Sequence, residues 1–235
     1  QVLADGGAMT GIEGVSMTNM PWPELLALLA VITMSLGNLV AIQQNNLKRM
    51  LAYSSIAHAG YMLLALPVMS TQGVYAVMIY LVMYLFMNLG AFFVVIAVKN
   101  KTGGETFDDY RGLGWEMPLV GVVMTIFMVS LTGLPPTAGF IGKFYIFAAL
   151  MKGGPQFYYL VILAGINSVI SLYYYLRVVK VMFLEGERSE TIHQPPAVMM
   201  GMLLLTAIPT VLFGIYWSPI ANWIQHSMTF FIQTI

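Results

Sequence analysis

Residues 117–151 read MPLVGVVMTIFMVSLTGLPPTAGFIGKFYIFAALM, and the reading of this stretch decides the fold. It is apolar enough to sit in a bilayer, yet Gly133-Leu134-Pro135-Pro136 interrupts it and a single lysine, Lys143, follows. One unbroken helix of these 35 residues would be about 52 Å long, against a hydrocarbon core about 30 Å thick. The two prolines remove the difficulty. Pro135 has no N–H for the carbonyl of Leu131, and Pro136 none for that of Thr132, so the sequence predicts a helix that stops and restarts. Carbonyls freed at membrane depth must be satisfied by protein groups or a water-filled cavity. Lys143 lies nine residues before Lys152 at the far end, which places it about 13 Å inside. An ionisable group beside a broken membrane helix points to an ion pathway. The competing reading is a kinked helix whose lysine snorkels along its four-carbon stem to the headgroups.

Around this stretch the chain has the composition of a membrane bundle. Of its 235 residues 59% are hydrophobic and 9% charged, and several apolar runs are long enough to span a bilayer, so an all-α polytopic membrane protein is expected. Ten basic residues balance ten acidic ones, and no basic patch points to nucleic acid. Cysteine is absent, which excludes disulfides, cysteine-held clusters and thiol chemistry within the chain. The 19 methionines are expected to be adaptable packing groups. No P-loop, dinucleotide fingerprint, metal-ligand spacing or hydrolytic triad occurs. The chain opens at Gln1 without a basic n-region and short apolar core, so no signal peptide is expected, and it reads as part of a longer polypeptide.

About six spans are expected, one of them discontinuous at Leu134–Pro136. Residues 1–22 form a Gly-rich extracytoplasmic loop, 23–217 a transmembrane bundle and 218–235 an interfacial tail. Span one, Pro23 to Gln43, starts on prolines, with Glu24 in its first turn as a helix cap. Span two, Leu47 to Met69, carries Ser54, His58 and Tyr61 at i, i+4 and i+7, on one helical face. His58 lies ten residues past Lys48, about 15 Å deep. It reads either as a relay group titrating near neutral pH or as a neutral histidine bonded to a neighbouring helix. Span three, Val74 to Val98, is uncharged; Tyr80, Tyr84 and Asn88 share a face suited to interhelical hydrogen bonds. Residues 99–116 read as a loop whose Asp108-Asp109-Tyr110-Arg111 is a solvated face or a subunit contact. Span five, Phe157 to Leu184, ends on Arg177 and Lys180 as interfacial anchors, and span six runs from Ala197 to Trp217.

Counting bases sets the orientation. With six spans, Lys48, Arg49, Lys99, Lys101, Arg111, Arg177, Lys180 and Arg188 fall on one side and only Lys152 on the other, Lys143 being buried. The positive-inside rule puts the rich side in the cytoplasm.

Three segments carry a resemblance: NNLKRMLAYSSIAHAGYMLLAL at 45–66, MVSLTGLPPTAGFIGKFYIF at 128–147 and LYYYLRVVKVMF at 172–183. They resemble the antiporter-like membrane subunits of respiratory complex I, from about Pro23 to Trp217. The LKR-LAYSS run is shared with Mrp-type cation/proton antiporters, while span three, without Lys or His in YLVMYLFMNLGAF, is similar to the subunit N branch. The resemblance implies fourteen helices in two inverted five-helix repeats, of which this chain supplies helices nine to fourteen. It matches Leu134-Pro135-Pro136 to the family's second discontinuous helix and Lys143 to the lysine at that break. The partner glutamate and further lysines belong to the missing N-terminal half of the same fold. The implied function is proton translocation coupled to quinone reduction, as a subunit of a bacterial inner-membrane NADH:quinone oxidoreductase. Lys143 would then work with Ser54, His58 and Tyr61 along a hydrated axis. No redox catalysis and no cofactor is implied in this chain; NADH, FMN, iron–sulfur clusters and quinone belong to partner subunits. The implied partners are the other membrane subunits and lipid. Two alternatives stay open: an Mrp-type antiporter subunit, or a non-pumping scaffold of the membrane arm.

Overall fold

The computed structural model describes residues 20–186 and 192–234. Most of the first loop, residues 1–19, and the base Arg188 lie outside them. Among the described residues there is no strand, only a bridge between Asn46 and Thr106. Helix α1 (Trp22–Ile42) starts on Pro23 with Glu24 in its first turn. Helix α2 (Leu47–Leu63) is capped by Asn46, whose side chain accepts from the Arg49 amide at 2.9 Å. It stops short of Met69 because Pro67 has no N–H for the Leu63 carbonyl, and a 3-10 turn at Leu66–Val68 completes the span. Helix α3 (Thr71–Thr102) is longer than the apolar run, since Ser70 caps its start and Gly103, at φ +81°, ends it. Lys99 and Lys101 sit in its last turn, where the helix dipole favours cations.

Of residues 99–116, read as a loop, 99–102 belong to α3 and the rest is built of turns and a short helix. A 3-10 turn at Phe107–Tyr110 and the short helix α4 (Leu113–Glu116) cross the bundle end, and the chain bends by 118° into α5 (Pro118–Thr132). Then follow α6 (Ala138–Gly153), α7 (Tyr158–Leu184), α8 (Ala197–Ile215) and α9 (Ser218–Thr234).

Five helical spans, α1, α2 with its 3-10 extension, α3, α7 and α8, are long and apolar enough to cross a membrane. Helices α5 and α6, of 15 and 16 residues, are each only about 22–24 Å long, too short alone. Their neighbours along α3 show that they stack end to end. A Cβ on Gly142 would strike the Tyr80 ring, one on Gly139 would reach Met87 Sδ at 3.0 Å, and one on Gly90 would strike the Phe127 ring. Position rises along α3 as it falls along the partner. Together α5 and α6 therefore form one discontinuous span antiparallel to α3.

Helices α1 and α2 pack backbone to backbone. A Cβ on Gly37 would lie 2.5 Å from the Ala57 nitrogen, and one on Gly60 would collide with the Met34 backbone. Small residues permit this approach where no hydrophobic drive separates helix from lipid. The three base-rich loops meet at one end. Leu47 N–H donates to the Glu105 carbonyl at 2.8 Å and Phe107 N–H to the Asn45 carbonyl at 3.1 Å. Arg177 lies 4.0 Å over the Phe107 ring and donates to Asn45 Oδ1 at 3.3 Å, so it ties two of these loops together. At the opposite end α9 lies against the bundle, with Tyr75 donating to the Ala221 carbonyl at 3.1 Å.

Candidate functional site

Helix α5 ends at Gly133, whose φ of +87° and N–H bonds to Ser130 and Val129 close the last turn. Two further carbonyls have no helical donor, that of Leu131 because Pro135 carries no N–H and that of Thr132 because Pro136 carries none. Lys143 fills the second gap. Its Nζ donates to Thr132 O at 2.7 Å and to Ser168 Oγ at 2.8 Å, and lies 4.5 Å over the face of Tyr61. The residue is 4% exposed, so the amine turns back across the break instead of reaching the surface. On the other side of the break Ser130 Oγ accepts from the first-turn amide of Gly139 at 3.1 Å. Gly214 of α8 lies so close to Pro136 and Thr137 that a Cβ there would meet Thr137 Cα at 2.5 Å. Thus α3, α7 and α8 enclose both loose helix ends.

Three neutral groups therefore receive the lysine: a carbonyl, a hydroxyl and a ring face. Among the described residues no carboxylate pairs with it, and all the ion pairs there belong to the base-rich end. A cleft of about 240 Å³ between α6 and α7 opens onto Lys143 and Ser168, walled by Phe144, Phe147 and Val169.

Ser54, His58 and Tyr61 are all buried on the inner face of α2. His58 Nδ1 is 2.7 Å from Tyr80 Oη and its Nε2 3.0 Å from Tyr175 Oη, which in turn makes a short hydrogen bond with Ser54 Oγ. In a neutral imidazole one ring nitrogen donates and the other accepts, and each tyrosine hydroxyl can take either part. The ring centroids of His58 and Tyr61 are 5.9 Å apart. Tyr61 thus stands between His58 on one side and the Lys143 amine on the other, and the three sequence-predicted residues of α2 and Lys143 share one polar interior.

Several members of that interior were not singled out in the sequence. Asn38 of α1 donates to Asn167 Oδ1 of α7 at 3.0 Å and accepts from Tyr174 at 2.9 Å. Asn167 also donates to Ser35 at 3.3 Å. Ser168 and Tyr175 complete the α7 contribution. A signal was present: Asn167, Ser171 and Tyr174 fall at i, i+4 and i+7, and Ser168 and Tyr175 seven apart, so α7 has polar faces above its basic end. The hydroxyls of Tyr61 and Tyr84 are buried without a hydrogen-bond partner among the described residues.

At the bundle end the carboxylates are held in their charged form. Hydrogen bonds from Lys99 and Asn46 keep Glu105 below the usual carboxylate range, Thr106 does the same for Asp109, and Lys180 for Glu185. No group of histidines and carboxylates among the described residues could hold a metal ion.

Residues 8–171 match the family described as NADH:quinone oxidoreductase/Mrp antiporter, transmembrane. The chain is 53% identical to NADH-quinone oxidoreductase subunit N 2 of Sorangium cellulosum, over 95% of its own length and 44% of the relative's. It is 48% identical to subunit N of Chlorobium chlorochromatii, over 89% and 42%. The chain thus spans somewhat under half the length of the curated relatives it matches. Among solved structures it is similar to a chain of respiratory complex I from Thermus thermophilus with bound aureothin, 34% identical, with a TM-score of 0.72 over 85% of this chain and 45% of that one. A chain of the Mrp complex from Dietzia sp. DQ12-45-1b, 18% identical, shares the fold with a TM-score of 0.77 over 88% and 46%.

Proposed function

This chain belongs to the NADH:quinone oxidoreductase/Mrp antiporter transmembrane family, and from that footing we propose that it forms part of a proton-translocating subunit, of the subunit N type, in a bacterial NADH:quinone oxidoreductase. Its base-rich loops face the cytoplasm of the inner membrane. Lys143 carries the proton. One observation supports this above the rest: the Lys143 amine donates to the Thr132 carbonyl that Pro136 leaves without a helical partner. The break in the helix and the buried base are one device.

Holding an ammonium in the middle of a bilayer costs about 3 kcal/mol on insertion scales. The Thr132 carbonyl, the Ser168 hydroxyl and the Tyr61 ring relieve part of that cost but bring no negative charge. The charge on Lys143 therefore follows whatever charge is brought near it from outside this chain. An anionic group drawing close favours proton uptake, and its withdrawal or neutralisation favours release. Such groups come from the rest of the polypeptide and from neighbouring membrane subunits. His58, between Tyr80 and Tyr175, supplies a hydrogen-bonded chain beside the lysine, in which a change of tautomer moves a proton from one side of the ring to the other. NADH, FMN, iron–sulfur clusters and quinone act in partner subunits, and the coupling to this chain is electrostatic.

The test is Lys143→Arg in the intact complex. Arginine keeps the positive charge but essentially cannot release a proton. Protons moved per electron should fall severalfold while quinone reduction continues; a wild-type ratio would overturn the role. Gentle solubilisation and pull-down on the chain tests the assembly. Flavin- and cluster-bearing subunits should come with it, whereas antiporter subunits alone would place it in an Mrp-type complex.

A further inference from the structure

Asn38 of α1 holds α7 at two points. Its amide donates to Asn167 Oδ1 at 3.0 Å and to the Asn167 carbonyl at 3.3 Å, and its own Oδ1 accepts from Tyr174 Oη at 2.9 Å. Asn167 returns a bond to α1 by donating to Ser35 Oγ at 3.3 Å. Asn38, Asn167 and Tyr174 are all buried. Each held residue of α7 is followed directly by one that touches the proton machinery. Ser168, after Asn167, accepts the Lys143 amine at 2.8 Å. Tyr175, after Tyr174, meets His58 Nε2 at 3.0 Å and makes a short hydrogen bond with Ser54. Neighbouring residues on a helix point about 100° apart, while residues seven apart nearly coincide. One face of α7, Asn167 and Tyr174, is therefore given to α1, and the adjoining face, Ser168 and Tyr175, to Lys143 and α2.

Asn38 stands on a fixed base. Gly37, just before it, lies so close to α2 that a Cβ there would be 2.5 Å from the nitrogen of Ala57, the residue before His58. The bonds at Lys143 and His58 change whenever a proton is gained, lost or moved, which makes them poor fixtures for α7. Carboxamides carry no titrating proton, so the bonds among Asn38, Asn167 and Tyr174 persist unchanged through such a cycle.

We propose that Asn38 is a positioning residue for proton translocation: through Asn167 and Tyr174 it sets the rotation of α7 that aims Ser168 at the Lys143 amine and Tyr175 at His58. This rests on Lys143 being the proton carrier. Asn38 itself transfers no proton. A small rotation of α7 would lengthen the Ser168 and Tyr175 contacts together, leaving Lys143 with the Thr132 carbonyl and the Tyr61 ring alone.

The experiment compares Asn38→Leu with the triple variant Asn38→Leu, Asn167→Leu, Tyr174→Phe in the full-length protein within its native complex, with Lys143→Met in parallel. Melting temperature, quinone reduction and protons moved per electron are measured for each. Leucine is close to asparagine in size and makes no hydrogen bond. The single variant strands the polar groups of Asn167 and Tyr174 and should melt lower. The triple variant removes those groups as well, and replacing all partners by apolar groups of similar shape can be nearly neutral for stability. If Asn38 served stability alone, pumping would recover with the melting temperature. A positioning role predicts instead that the triple variant melts near the wild type and transfers electrons, yet moves at most half as many protons per electron. A wild-type ratio in the triple variant overturns the proposal. If it pumps while Lys143→Met does not, the positioning role alone falls; if Lys143→Met also pumps, the role of the lysine falls with it. Should the leucine variants assemble poorly or melt low, Tyr174→Phe decides, since it removes one oxygen and one of the two holds: a reduced ratio supports the positioning role and a wild-type ratio overturns it.

Discussion

Lys99 and Lys143 are the same residue type on two neighbouring helices, and they meet opposite fates. Lys99, about half exposed, lies 2.9 Å from Glu105, which also takes Lys48 at 3.7 Å. Around it Arg111 pairs with Asp108 at 3.0 Å, Lys180 with Glu185 at 3.0 Å, and Lys101 with Glu116. Water and carboxylates together fix these charges, and such exposed pairs contribute little to stability. Lys143 is buried and has a carbonyl where Lys99 has a carboxylate. A paired, wet charge is architecture: it joins three loops. A buried charge held by neutral groups is conditional, and it is the one that responds when a neighbour changes its own charge.

The contrast can be broken from the side of the helix break first, where effects should be largest. Gly133→Val places a β-branched residue at φ +87° with its Cβ 2.7 Å from Lys143 Cδ. Such backbone strain costs about 3 kcal/mol, so thermal unfolding should shift down by several degrees and pumping should fall. A wild-type melting curve would mean that the break is plastic and does not hold the lysine in place. Next comes His58→Phe, which strands the Tyr80 hydroxyl while Tyr175 keeps its bond with Ser54. A buried hydroxyl so stranded costs about 1–3 kcal/mol. The expected result is a lower melting temperature with electron transfer retained, and an unchanged one would show Tyr80 re-pairing elsewhere.

The wet end should be nearly silent. Glu105→Gln removes two ion pairs, yet pumping should be unchanged and melting should move within its reproducibility at neutral pH. Acid is the sensitive probe there. Glu105, Asp109 and Glu185 titrate below their ordinary range, so the stability they add is present above their unfolded values, near about 4. It is lost as pH falls through the lower folded values. Melting temperature should therefore be flat around neutrality and drop in that acid window, with a smaller drop in Glu105→Gln.

The break itself was legible because proline chemistry is local. Pro135 and Pro136 state which carbonyls go free without any knowledge of neighbours. Lys143 and the Ser54, His58, Tyr61 face followed from depth and helical spacing in the same way. Partners across helices were not legible: Tyr175 meets Ser54 and His58 from more than a hundred residues away, and Asn38 meets Asn167 at similar separation. Spacing says which side chains share a face, and only packing says what that face meets. Residues 99–116 were read as a loop because the turns after Thr102 are stabilised by contacts from α7 and from the α1–α2 turn rather than by their own periodicity.

The most direct measurement sets the two regions side by side: protons moved per electron for Lys143→Met and for Glu105→Gln in the same intact complex. Methionine matches the lysine stem in size and carries no proton, so the ratio should fall severalfold for Lys143→Met and stay at the wild-type value for Glu105→Gln. Wild-type pumping by an assembled Lys143→Met complex would contradict the proton-carrying role and leave the chain a scaffold.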